Sequence, residues 1–363
     1  MLEIKGKFNT AIAYLNELEQ TATEQIIELC DQEFTQNAKI RIMPDAHAGA
    51  GCVIGTTMTI TDKIVPNLVG VDIGCGVLCV KIDCKEIGFE HLDKVIRTQI
   101  PSGFNVHKNK NLEFNLQVLK CFDKLKNKKH LECSLGTLGG GNHFIEIDKD
   151  TDGNFWLLIH SGSRNIGLQV AEIYQNIAYS KLKNTNINKD LAYLEGEDFD
   201  NYLHDMNFVQ KWAVRNRELM IEKILIGMRW SQTVKIDTIH NYIDMKNMIL
   251  RKGAVSAQLD EMLVIPINMR DGTLLCKGKG NPEWNFSAPH GAGRLLSRNQ
   301  AFKNLSLEQF VDSMKNIYTT TVNKKTLDEA PMAYKSIEDI LQFVDATLEV
   351  VDMMKPVYNF KAS

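Results

Sequence analysis

The stretch "GVDIGCGVLCVKID", residues 70–83, pairs an acidic side chain, Asp72, with a thiol, Cys75, three positions later. Glycines flank both residues, and the β-rich run "VLCVKID" (77–83) follows at once, so the pair lies at a junction between turn and strand. A carboxylate and a thiolate there could face one ion, or the thiolate could bridge two. Mixed oxygen, sulfur and nitrogen donors suit a transition metal better than magnesium or calcium. Alone, the same spacing is equally the pattern of a buried structural cysteine.

Around this stretch, "CVIGTTMTI" (52–60), "NLVGVDIG" (67–74) and "FWLLIH" (155–160) also read as strands. Leu112, Leu116, Leu119, Phe122 and Leu125 recur every three or four residues, which predicts an amphipathic helix over 111–130 with a solvated, lysine-rich end. Residues 166–230 and the segment "SIEDILQFVDATLEVVDMMK" (336–355) show helical periodicity as well. No Pro/Gly/Ser-rich linker divides the chain. The expected architecture is an α+β fold over residues 1–363, one large domain with β-sheets around a site and helical excursions.

Composition narrows the function. The 363 residues are 44% hydrophobic and 24% charged, and 42 basic against 45 acidic side chains leave a net charge of −3. A nucleic-acid partner would have to be met by a local basic surface. No apolar run reaches the roughly 20 residues of a membrane span. The opening "MLEIKGKFNTAIAYLNELEQ" has acidic residues and no signal-peptide core, so a cytoplasmic location is expected. The eight cysteines form no CxxC pair, which argues against zinc fingers, and without a signal peptide a disulfide framework is not expected.

Of nine histidines, His91, His107 and His130 lie in lysine- or asparagine-rich surroundings and read as solvated. Others recur near glycine loops and strand ends. "GGGNHFIE" (139–146) offers His143 after a glycine loop able to admit a phosphate, and "LIHSGSR" (158–164) sets His160 at the end of an apolar run before Ser161, Ser163 and Arg164. "DTIHNY" (237–242) contributes His240. In "SAPHGAGRLLSR" (287–298), His290 stands between a proline and a glycine pair. The Leu295-Leu296 run after Arg294 predicts a helix whose N-terminal amides would favour an anion beside that histidine. Each histidine alone also reads as a packed or loop residue. Together with Asp72 and Cys75 they are the inventory of a two-metal site.

In the order DxxC, GNHF, HSGSR and HGAGR, the chain resembles the RtcB family of RNA ligases, and the resemblance runs from "MPDAHAGAG" (43–51) to the lysine near the C-terminus. It implies joining of RNA 3′-phosphate or 2′,3′-cyclic phosphate ends to 5′-hydroxyl ends with GTP and two Mn²⁺ ions. Asp72, Cys75 and His143 would hold one ion; Cys75, His160 and His240 the other; Zn²⁺ could replace manganese in vitro. His290 would be the nucleophile that becomes guanylylated. GTP contacts would fall on Asn142, Glu146, Gly293, Tyr334 and Lys361, with Asn268 and Thr273 in the places of a serine-bearing turn of other members. Arg164, Arg217 and Arg294 are implied phosphate or RNA contacts; Arg215, Arg251, Lys252, Lys277, Lys279 and Arg298 add candidate positive charge. The expected partner is RNA with broken ends, a transfer or ribosomal RNA.

Three departures stand out. "DAHAGAGCVIGTT" (45–57) replaces a DxHPGYG stretch, the loop before His290 differs, and the chain ends Lys-Ala-Ser rather than Lys-Gly. These features and the short length resemble a divergent bacterial branch devoted to RNA repair. Two other readings fit the same ligands: a binuclear phosphoesterase opening cyclic phosphates, which would not need His290 with its glycines, and a non-catalytic RNA-end binding protein, which would tolerate loss of a ligand.

Overall fold

A computed structural model describes residues 1–362 and shows an α+β fold. Its largest sheet has seven antiparallel strands, in the order Met262–Asn268, Gly272–Gly278, Leu348–Lys361, Phe144–Lys149, Phe155–Ser161, Gly76–Asp83 and Ser231–Ile239. The central strands are almost continuously apolar because both faces are covered. Leu78, Val80, Leu157 and Ile159 pack on Met220, Ile221 and Ile224 of the helix Gly196–Met228, and on Leu92 and Ile96 of the helix Phe89–Gln99. The alternate residues Val77, Cys79 and Leu158 face the other way, onto Ile236, Val264 and Leu275.

A second sheet runs Leu2–Lys5, Thr10–Ala13, Ile40–His47, Ile54–Thr59, Ile249–Lys252 and Asn241–Asp244. It shares one core with the helices Gln20–Cys30 and Arg164–Leu182. A short ribbon, Ala254–Ser256 with Ser287–Pro289, follows directly on its strand Ile249–Lys252. The strand ends of both sheets and this ribbon converge where the metal-competent residues lie. No helix among the described residues is long and apolar enough to cross a membrane.

The helical reading of 166–230 holds, as Arg164–Leu182 and Gly196–Met228. The helix expected over 111–130 does not form. Its place is taken by single turns at Leu116–Val118 and Phe122–Lys124 and a five-residue helix, Lys128–Glu132. The buried Asp205 carboxylate accepts from the amides of Lys120 and Cys121, at 2.8 and 2.9 Å, and a partner outside the segment replaces the helical ladder. Leu116, Leu119 and Leu125 are buried all the same, while Leu112 is exposed.

The segment 336–355 is helical only over Ile337–Val344. From Leu348 the chain becomes a 14-residue strand clamped between Gly272–Gly278 and Phe144–Lys149, with Pro356 absorbed at a bulge. "NLVGVDIG" is likewise not a strand but a single turn, Pro66–Leu68, followed by an irregular loop. The Leu295-Leu296 run opens no helix either: both amides donate to the Ala333 carbonyl, and the next helix starts at Arg298 behind the Ser297 cap. No helix N-terminus therefore stands immediately after His290.

Candidate functional site

The loop 72–75 leads Asp72 and Cys75 into the start of the strand Gly76–Asp83, whose neighbours end in His160 and lead into His240. Register places Gly76 opposite both Ser161 and Ile239, so His160 and His240 arrive beside Cys75 from either side. The His240 amide also donates to the Cys75 carbonyl at 2.9 Å. His143 arrives from the glycine loop ahead of Phe144–Lys149.

Cys75 Sγ lies 3.3 Å from His160 Nε2 and 3.6 Å from His143 Nε2; His160 and His240 Nε2 are 3.4 Å apart, and His143 Nε2 is 3.1 Å from Asp72 Oδ2. Two triads result, Asp72–Cys75–His143 and Cys75–His160–His240, sharing the sulfur. Ions bonded at about 2.0–2.3 Å in tetrahedral sites separate neighbouring donors by about 3.3–3.8 Å, so this set fits two transition-metal ions bridged by a thiolate. Backbone carbonyls orient two of the rings: His143 Nδ1 is 2.9 Å from Leu138 O, and His160 Nδ1 is 3.2 Å from Asn142 O. Both Nε2 atoms are thereby left for a metal.

Electrostatics favour ligation by the imidazoles and the carboxylate, while without an ion the thiol stays protonated. Burial, with the neighbouring histidines, lowers His160 and His240 well below the ordinary imidazole value and keeps both neutral. Burial pushes the Cys75 thiol up, and Asp72 pushes it further. Burial would also raise Asp72, but hydrogen bonding and charge from His143 outweigh it and hold the carboxyl at about 2.

The support around these residues is dense. The Asn216 amide bonds the Gly136 and Thr137 amides and the Thr137 and Gly162 carbonyls, tying the His143 loop to the turn after His160. Asp72 Oδ1 accepts from the Ser163 amide at 2.9 Å. A Cβ at Gly162 would lie 2.2 Å from that oxygen. Gly162→Ala is therefore expected to swing the Asp72 carboxylate away, weakening metal binding at least tenfold while moving the melting temperature little, as calorimetric metal titration beside thermal unfolding would show.

His290 stands next to this cluster. Its ring centroid is 4.9 Å from that of His240, and its Nδ1 lies 2.6 Å from Oδ2 of the fully buried Asp45. The Asp45 carboxylate also takes the His290 amide at 3.1 Å. Nε2 has no hydrogen-bond partner among the described residues. At Gly293, with φ of +74°, a Cβ would sit 2.3 Å from the Asp45 carbonyl oxygen, so only glycine lets the 290–294 turn press onto the strand Ile40–His47.

The chain as a whole is matched by known sequences. The family model described as "tRNA-splicing ligase RtcB" matches residues 25–129 and 117–362. The chain belongs to the RtcB family. It is 32% identical to the RNA-splicing ligase RtcB of Escherichia coli K12 over 95% of both chains. It is 27% identical to the tRNA-splicing ligase RtcB of Nanoarchaeum equitans over 88% of this chain and 87% of that one.

The other positions that the resemblance implies are spread over several local networks. Tyr334, Lys361 and Arg294 converge on Glu329, a residue the sequence reading passed over although it lies within the same "DEAPMAY" stretch. Burial raises the Glu329 carboxyl, but Lys361, the Tyr334 hydroxyl and Arg298 bring it down to about 2. A depressed carboxyl adds stability that is complete above about pH 5 and lost as pH falls through about 2, here about 3 kcal/mol. Urea unfolding of wild type and Glu329→Gln is expected to show that difference at pH 7 and its shrinkage towards pH 3.

Glu146 is buried, bonds the Asn359 amide, and burial pushes it up to about 7. Asp148 shares its face, and Thr273 is buried beside that aspartate. Asn142 is exposed; its carbonyl holds His160, with Lys361 Nζ at 3.4 Å. The Asn268 amide is taken by Asp271 within its own hairpin.

Most of the expected RNA-facing cations are structural instead. Arg217 is fully buried, bonding Asp237 and the Gly74 and Ser161 carbonyls. Arg294 is spent on Glu329, Tyr334 and the Asp328 and Leu296 carbonyls. Arg251 and Lys252 are buried, and Arg215, Lys277 and Lys279 pair with carboxylates. Arg164 bonds Thr137 and the Gly103 carbonyl beside the His143 loop, and Arg298 is half-exposed near Gly141. Arg164 has no ion-pair partner among the described residues, whereas Arg298 pairs with Asp328 at 2.9 Å and keeps a half-exposed edge toward the site. His107, read as solvated, is instead half-buried, with Nε2 3.0 Å from the Gly136 carbonyl.

Proposed function

We propose that this protein is a GTP- and Mn²⁺-dependent RNA ligase that joins 3′-phosphate or 2′,3′-cyclic phosphate ends to 5′-hydroxyl ends through guanylylated His290. The observation that carries this reading is His290 itself, held by a buried carboxylate at the edge of a two-triad donor set. A hydrolase acting through metal-activated water does not require a histidine with a free nucleophilic nitrogen, although it could use one as a general acid.

The Asp45 carboxylate, 2.6 Å from Nδ1, would favour a proton on that nitrogen and so the tautomer that keeps the Nε2 lone pair free. Nε2 attacks the α-phosphorus of GTP; a P–N bond forms, and the bond to pyrophosphate breaks with its electron pair leaving on pyrophosphate. A 2′,3′-cyclic end first takes up one water, which breaks the P–O2′ bond and leaves a 2′-hydroxyl; an oxygen of the RNA 3′-phosphate then displaces the imidazole, returning the pair to Nε2. The 5′-hydroxyl attacks that activated phosphate, and GMP departs. Two Mn²⁺ ions, bound by Asp72, Cys75 and His143 and by Cys75, His160 and His240, would supply positive charge against the phosphate oxygens. Arg164 and Arg298 add charge at the rim, while Asn142, Glu146, Gly293, Tyr334 and Lys361 are assigned to the nucleotide. Asn268 and Thr273 are assigned there as well. The natural substrate on this reading is a cleaved transfer or ribosomal RNA in the cytoplasm. The test is covalent transfer of label from α-labelled GTP in manganese, which must vanish in His290→Ala.

A further inference from the structure

Phe104 is 96% exposed, more than any other large apolar side chain among the described residues. Single exposed apolar residues are common and by themselves mean little. This one is held at the tip of a firmly tied turn. Asn105 N–H donates to the Ser102 carbonyl, Gly103 N–H donates to the Gly139 carbonyl at 2.8 Å, and Arg164 Nη2 donates to the Gly103 carbonyl at 2.9 Å. Gly139 opens the loop that carries His143, and Arg164 follows the turn after His160. The backbone that presents the phenyl ring is thus tied to both segments that bring histidines to the candidate metal cluster.

The same segment continues into a cavity of about 340 Å³ whose lining includes His107, Lys108, Lys110 and Lys223 and no carboxylate. The acids nearest in sequence, Glu113 and Glu222, are paired with Arg215. Lys223 Nζ is 2.8 Å from His107 Nε2, and burial lowers the lysine below its ordinary value. In a chain of net charge −3, cations gathered without counter-ions mark a place for an external anion. The cavity is linked to the site through Gly136, whose carbonyl lies 3.0 Å from His107 Nε2 and whose amide donates to the Asn216 side chain that braces the His143 loop.

We propose that the segment 102–111 is a track for one RNA strand entering the ligand cluster. Phe104 stacks on a base, and Lys108, Lys110 and Lys223 take a backbone phosphate. Stacking on an aromatic ring tolerates any base, which suits an enzyme that reads ends rather than sequence. The inference rests on the RNA-ligase reading above.

Binding of a labelled 12-nucleotide RNA with a 3′-phosphate and an internal 2-aminopurine tests it, by anisotropy and by quenching of the stacked base. Phe104→Ala is expected to weaken binding roughly 5- to 100-fold and to abolish the quenching, with Phe104→Trp restoring both. Lys108→Gln with Lys110→Gln is expected to flatten the slope of log affinity against log salt by about 0.7, the share of one phosphate. RNA affinity unchanged in Phe104→Ala overturns the track, and that is also the result if the ring serves a protein partner. If wild type still takes label from GTP in that case, the ligase reading survives; wild type that neither binds RNA nor takes label overturns both.

Discussion

His290→Ala is expected to take no label from α-labelled GTP and to lower ligation by at least about 10⁴-fold. The side chain is only partly enclosed and its one close polar contact is Asp45 Oδ2, 2.6 Å from Nδ1, so its loss leaves the fold intact. Asp45→Asn separates nucleophile from support. The replacement keeps the shape of a fully buried side chain, yet an amide can offer its NH₂ to Nδ1 and select the tautomer that leaves Nε2 protonated. Such a swap behind a catalytic histidine costs about 10⁴ in rate. The expected result is a drop of about 10²- to 10⁴-fold in the guanylylation rate with the KM for GTP nearly unchanged. Wild-type labelling in Asp45→Asn would sink the assigned role of the carboxylate. Persistent labelling in His290→Ala would move the nucleophile elsewhere.

Cys75→Ala should be the most damaging change to metal content. Its sulfur belongs to both triads, whereas Asp72 and His143 serve one and His160 and His240 the other. Removing it leaves two ligands on each side, too few for a closed transition-metal site. Metal analysis after manganese loading and desalting is expected to fall from two ions per chain to none. His143→Ala and His240→Ala should each keep one, and affinity for the lost ion should fall by more than the 10- to 100-fold typical of outer-shell changes. Two ions retained in Cys75→Ala would show that the sulfur is not shared.

Four of the five candidate ligands were legible because they sit in short glycine-rich stretches whose chemistry has few structural uses, DxxC, GGGNHF and HSGSR, whereas His240 in DTIHNY carries no such local signal. The central strands were legible because both of their faces are buried, which leaves an apolar run no other arrangement explains. Segments with two possible partners were not. "TLEVVDMM" has helical spacing, and it became a strand because two waiting edges, Gly272–Gly278 and Phe144–Lys149, offered it a full ladder on each side. Residues 111–130 kept their apolar contacts but gave their amides to Asp205, a carboxylate some 80 positions away in the chain.

The arginines and the acidic residues divide along the same line. By itself the sequence determined the family, the α+β character, the five candidate ligands and the special place of His290, since these rest on residue type and local spacing. Which cations are free and which are spent belongs to the tertiary structure. Arg217, Arg251 and Arg294 look alike on paper to Arg164 and Arg298, and only burial and partners tell them apart. So do the roles of Asp45, distant in sequence from His290, and of Glu329, which neighbours Tyr334 in the chain but is distant from Arg294 and Lys361. A charge takes its meaning from what lies within about 4 Å of it and from how much water reaches it.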